Sequence, residues 1–103
     1  MSLSQRSHPL ADVELTESAR WYEEAQPGLG DDFLDAASEA VELILEWPRV
    51  GSVIPGWNRE PVVRSKAIER FPYRVLYYLT DTELMVVAFA HTRRKPGYWK
   101  DRV

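Results

Sequence analysis

The last third of the chain most limits what it can fold into. Tyr73-Arg74-Val75-Leu76-Tyr77-Tyr78-Leu79 and Leu84-Met85-Val86-Val87-Ala88-Phe89-Ala90 are β-branched and aromatic runs separated by a short polar break, the pattern of a β-hairpin. The second run continues directly into His91-Thr92-Arg93-Arg94-Lys95-Pro96-Gly97-Tyr98-Trp99. A sheet and a core suffice to explain the strands. Three consecutive cations followed by two rings need something more, because neighbouring like charges repel and a fold gains little by clustering them. Function is therefore expected at this tail.

Asp81-Thr82 is the expected tip of the hairpin. If Thr80 and Glu83 flank it, Arg74 lies opposite Phe89 and Leu76 opposite Val87. Val75, Tyr77, Leu79, Leu84, Val86, Ala88 and Ala90 then share the face that packs on the helices. Arg74, Leu76, Tyr78, Met85, Val87, Phe89 and His91 share the other, which is too apolar for bare solvent and reads as a binding surface.

Upstream, Leu3 to His8 reads as a short first strand. Pro9 opens a helix, since proline suits the first turn and disfavours helix in the residue before it. Ala11, Leu15, Ala19 and Tyr22 recur at helical spacing until Gln26-Pro27-Gly28-Leu29-Gly30 breaks the pattern. A second helix follows, capped by Asp31 or Asp32, with Phe33, Ala37, Ala40 and Ile44 in one stripe and Pro48 as its stop. So short a connection makes the two helices an antiparallel hairpin. Their carboxylates, Glu23 and Glu24 among them, are expected on the solvent side. Arg49 to Pro61 is a Gly/Pro-rich loop, and Val62 to Glu69 a further strand. Trp21 and Trp47 are expected over the helix–sheet junction, because large aromatics dominate cores. Trp99 reads either as a ligand-stacking ring or as an anchor for the tail.

The 103 residues make one domain, 1–103, with 45% apolar and 28% charged residues, the composition of an ordinary globular protein. No apolar run approaches the length of a membrane span, and the N-terminus has no apolar signal-like core. Cytoplasm is the expected compartment. Absence of cysteine removes disulfides and thiolate metal sites. Histidines and carboxylates show no ligand spacing and no Gly-rich phosphate loop is present, so neither metal nor cofactor is expected. The net charge of −3 conceals a split: residues 1–48 hold two cations and eleven carboxylates, residues 49–103 eleven cations and five carboxylates. Either the exposed helices are simply acidic and the strands basic, or a basic layer attracts a polyanion or acidic peptide.

The basic group comprises Arg64, Lys66, Arg74, Arg93, Arg94 and Lys95, interleaved with Tyr78, Phe89, Tyr98 and Trp99. Phosphates could take the charges while bases stack on the rings, and an acidic amphipathic peptide would suit the same surface. His91 beside these cations would be held neutral and could act as a general base, or be a hydrogen-bonded structural residue at a strand end.

Several phrases in order, His8-Pro9, Ala19-Arg20-Trp21-Tyr22-Glu23, Pro27-Gly28-Leu29-Gly30 with Phe33, Phe71-Pro72-Tyr73-Arg74-Val75-Leu76-Tyr77, and the tail from His91 to Trp99, resemble the RelE/ParE toxin superfamily of type II toxin–antitoxin modules. The resemblance runs from about His8 to Arg102. It implies an α+β fold, a helical hairpin packed on one face of a mainly antiparallel four-stranded sheet, and a cytoplasmic toxin that stops growth and stabilises plasmids. It also implies a cognate antitoxin that wraps and neutralises the protein; a homodimer is left open.

Two branches of the superfamily differ in target. RelE-like members cut mRNA on the ribosome with the RNA 2′-hydroxyl as nucleophile. For them the resemblance puts Arg74 on the phosphate, Arg93 on charge developing in the transition state, and His91 or Tyr98 in proton transfer, with Arg64 and Lys66 as further basic groups. ParE-like members lack that set and inhibit DNA gyrase. The sequence pI of about 5.4 and the absence of a matching general base favour the ParE-like branch. A degenerate module that binds its partner without toxicity is a third reading.

Overall fold

The computed structural model describes residues 3–103. The two runs of the last third form β4 (Tyr73–Leu79) and β5 (Glu83–His91), the centre of a five-stranded sheet. The other elements are β1 (Ser4–Ser7), α1 (Pro9–Ala25), α2 (Leu29–Glu46), β2 (Ser52–Val53), β3 (Arg64–Ala67) and a 3-10 turn at Lys100–Arg102. Strand order is β1-β5-β4-β3-β2. The β1–β5 pair is parallel and the other three are antiparallel. The α+β architecture is therefore as expected, with five strands in a mixed sheet instead of four. The extra strand is a two-residue piece inside the Gly/Pro-rich loop, too short to leave a periodic trace in sequence.

Loop closure explains that strand. The hydroxyl of fully buried Tyr77 donates to the Pro48 carbonyl at 2.8 Å and accepts from the Gly51 N–H at 3.0 Å. Arg64 Nη1 donates to the Gly51 carbonyl at 2.9 Å. A β-carbon at Gly51 would lie 2.7 Å from the Tyr77 hydroxyl, so only glycine allows this approach.

His8 caps α1 through Nδ1, which accepts from the Leu10 N–H at 3.1 Å, and Pro9 occupies the first turn. The second helix starts earlier than Asp31, at Leu29, with Gly28 in the left-handed region (φ 91°) and no side-chain cap of its own. Its orphan donors are met from the preceding helix: the Glu23 carboxylate accepts from the Gly28 N–H at 2.9 Å and the Gly30 N–H at 3.0 Å. Glu23, exposed as expected, is thus also a cap across the hairpin. Gly30 lets the helices touch, since a β-carbon there would sit 2.6 Å from the Ala19 carbonyl oxygen.

The stripe Phe33, Ala37, Ala40 and Ile44 is buried, as its spacing requires. Phe33 joins Tyr22, Phe71 and Tyr73 in a mostly edge-to-face cluster, with centroids 4.9–5.3 Å apart between Phe33 and each of the other three. Such pairs add about 0.5–1.5 kcal/mol each beyond burial. Trp21 and Trp47 depart from expectation: they are 65% and 62% exposed, because the core beneath the helices is already filled by smaller residues.

The hairpin tip forms at Asp81-Thr82, with the Thr80 N–H donating to the Glu83 carbonyl at 2.9 Å. Pairing near the tip is as expected, Tyr77 opposite Val86 and Tyr78 opposite Met85. Between Leu76 and Tyr77 the register shifts by one, so Leu76 faces Ala88, Val75 faces Phe89 and Arg74 faces Ala90. This β-bulge exchanges the faces of the outer half of β5. Phe89 joins the helix-side core while Ala88 and Ala90 turn to the opposite side. The exchange puts a phenyl ring into the main core in place of methyl groups, which buries more apolar area.

Candidate binding groove on the tail side of the sheet

The sheet face away from the helices is covered by the chain's own tail. Val63, Leu76, Val87, Ala88, Ala90 and Trp99 form a second buried cluster, with Ile54, Trp57, Tyr78, Tyr98 and Val103 packed against it. Small Ala88 and Ala90, delivered by the bulge, leave room for the indole of Trp99, which is 4% exposed. Trp57 packs on it at 5.2 Å between centroids and donates through Nε1 to the Pro61 carbonyl at 2.7 Å. The expectation of an open apolar face is corrected: tail and loop satisfy most of its apolar surface and leave clefts along their margins.

A carboxylate from the far layer fastens the tail. Glu14, on α1, accepts from the Tyr98 hydroxyl at 2.7 Å, from Arg102 Nη1 at 2.9 Å and Nη2 at 3.2 Å, and from the Phe89 N–H at 3.2 Å. Arg102 Nη1 also donates to the Val87 carbonyl at 3.2 Å. β1 pairs with β5 only as far as Val86, so Glu14 and Arg102 satisfy strand groups beyond the end of β1. Sequence reading missed both residues, one being an ordinary helix carboxylate and the other 88 positions away; nothing local marks the pair. Burial pushes the Tyr98 phenol well above its ordinary range, the bond to and charge of Glu14 raise it further, and the nearby Arg102 and Arg94 only partly oppose this.

Two adjoining clefts flank Trp99. One, of about 360 Å³, is lined by Arg74, Arg94 and Lys95 together with His91 and Ser65. The other, of about 450 Å³, is lined by Trp57, Arg59 and Lys100. Ile54, Pro55, Pro96 and Trp99 border both. Arg74 is half-buried, its Nε donating to the Ser65 hydroxyl and its Nη2 to the Ser65 carbonyl at 3.4 Å. Arg94 lies over the Tyr98 ring at 3.9 Å and Arg59 over the Trp57 ring at 4.4 Å. Arg59 and Lys100 were not foreseen; they lie in separate loops that only the packing of Trp57 on Trp99 brings together.

The remaining candidates divide by face. Arg93 is exposed and lies outside the lining of either cleft, so Arg94, not Arg93, shares a cleft with Arg74. The His91 ring packs edge-on to Tyr73 at 5.0 Å, and its Nδ1 accepts from the Arg93 N–H at 3.0 Å. Lys66 lies toward α2, beside Glu39 and Glu69, and Arg64 is engaged with the Gly51 loop. Phe89, 4% exposed, is in the helix-side core and cannot contact a ligand on the tail side; the bulge is the reason. Tyr78 packs against the tail-side cluster without lining either cleft. Among the described residues no group of histidines and carboxylates could hold a metal ion, and no helix is long and apolar enough to cross a membrane.

Comparison with known proteins supplies a family. Residues 6–96 match the model of the family described as ParE toxin of type II toxin-antitoxin system, parDE. Among solved structures, a chain of the chromosomal ParDE TA system from P. aeruginosa is similar in fold. It has 20% sequence identity and a TM-score of 0.61, over 86% of this chain and 95% of that one. No curated protein sequence matches significantly.

Proposed function

The chain belongs to the ParE toxin family of type II toxin–antitoxin systems, and on that footing we propose that it arrests growth by binding an essential target, DNA gyrase first, without cutting RNA. A cognate antitoxin neutralises it in the cytoplasm, and the pair would serve to stabilise the replicon that carries it.

The observation that carries this reading is the lack of an available imidazole, phenol or carboxylate base beside Arg74. Cleavage through a 2′-hydroxyl needs a group that takes its proton. The Tyr98 phenol is committed to Glu14 and held in its neutral form. The lone pair of His91 Nδ1 is occupied by the Arg93 N–H, so in the neutral ring Nε2 carries the proton and is a donor. Neither cleft is lined by a carboxylate. What remains is a set of arginines and lysines, suited to holding an anion.

The test is induction without antitoxin, combined with supercoiling assays on purified protein and gyrase. Growth arrest with intact transcripts and inhibited supercoiling is expected. Cleaved transcripts that become intact in Arg74→Ala would refute the reading in favour of a nuclease. Unimpaired growth would leave a non-toxic binding module.

A further inference from the structure

We propose that the joined clefts beside Trp99 bind a single-stranded phosphodiester chain; this rests on the reading of the protein as a toxin that binds without cutting, and names the chemistry its groove engages. Arg59, Lys100, Arg74, Arg94 and Lys95 line the two clefts, and no carboxylate does. This occurs in a protein of net charge −3. Ion pairs among the described residues are Arg6–Glu83, Arg70–Asp32 and Arg102–Glu14, none of which uses a groove cation. Five cations without an ion-pair partner on one margin of an acidic protein give that margin a positive field that attracts an anion.

Their side chains are partly fixed in advance. Arg94 and Arg59 rest on ring faces, and Arg74 is anchored through Ser65 while its Nη1 has no partner among the described residues. A guanidinium so held loses little further freedom when it grips phosphate.

Length and lining narrow the ligand class. The clefts share four border residues and run on from one to the other, more room than one phosphate ion fills. The guanidinium planes of Arg94 and Arg59, each backed by a ring, suit unstacked bases, whereas a duplex is too wide to enter. A peptide that bound by adding a strand would need a free sheet edge. The edge beside the groove is β2, only Ser52–Val53, which offers few main-chain bonds.

Fluorescence anisotropy with a labelled oligodeoxythymidylate of about 12 nucleotides tests this. If three to five phosphates are contacted, affinity falls about 20- to 100-fold between ~50 and ~200 mM salt. The double variant Arg94→Gln/Lys95→Gln should weaken binding at least ~tenfold and flatten the salt dependence, with a melting curve that shows one cooperative transition lowered only slightly by loss of the Arg94–Tyr98 contact. Lys66→Gln, on the helix side, should bind as the parent does. Absence of binding at low salt, full binding by the double variant, tighter binding of a duplex, or equal binding of polyglutamate would each overturn the proposal. Growth arrest scored on the same variants separates the two readings. Oligonucleotide binding without toxicity refutes the toxin and leaves the groove, while toxicity without oligonucleotide binding does the reverse.

Discussion

Replacing Glu14 with alanine should release the tail from the sheet, and the size of the effect follows from the bonds removed. The substitution leaves the Phe89 N–H, the Tyr98 hydroxyl and the Arg102 guanidinium without their acceptor. Glu14 and Arg102 side chains are only 13% and 10% exposed, so water screens the loss little. Removing one partner of a buried pair costs about 3–5 kcal/mol, chiefly through the orphaned charge. At about 4–8 °C per kcal/mol for a domain of this size, even the lower figure predicts a fall in Tm of about 12–24 °C. Thermal and urea denaturation followed by circular dichroism measure it. The control is the apolar pair Glu14→Leu/Arg102→Met, which leaves no buried charge and should be more stable than Glu14→Leu alone. A loss below about 0.5 kcal/mol for Glu14→Ala, in the range of neutral surface changes, would refute the reasoning. Strict additivity in the pair would do so equally.

Phe89→Ala should cost about 3–5 kcal/mol, as deletion of a core phenyl does; a near-neutral value in urea denaturation would mean that the bulge does not turn the ring inward. Gly51→Ala forces a β-carbon to 2.7 Å from the Tyr77 hydroxyl and should destabilise by about 1–3 kcal/mol, whereas Gly56→Ala, with open space around it, should lose less despite its positive φ. Alkaline titration gives a further check. Burial raises the phenols of Tyr22, Tyr77 and Tyr98 above 10. Their contribution to stability is fully present below about pH 10, where the unfolded phenol ionises, and is lost as pH rises toward the folded values. Absorbance at alkaline pH should show Tyr22, Tyr77 and Tyr98 ionising above the ordinary phenol value, with one of these late steps disappearing in Tyr98→Phe.

Much of the groove's lining is legible in the amino-acid sequence. Arg74, Arg94, Lys95, Tyr98 and Trp99 stand out because charge and aromatic density are properties of the chain itself. Arg93 could not be told from Arg94, since adjacent residues in a turn diverge in direction and only the packing of Trp99 selects one. Arg59 and Lys100 carried no signal, being single cations in loops. Lys66 and Arg64 looked equivalent to the rest until strand parity put them toward α2 and the Gly51 loop.

Periodicity, breakers and composition alone determined the two helices, the three main antiparallel strands and the basic tail, because each depends on neighbours within a few residues. Three matters were decided only by the tertiary structure: the bulge that sends Phe89 inward, the Glu23 cap across the hairpin, and the Glu14–Arg102 clasp on the tail. All three are settled by partners that only folding brings together. A register shift wins when the larger ring fills the larger core, and a buried carboxylate persists where stranded donors surround it.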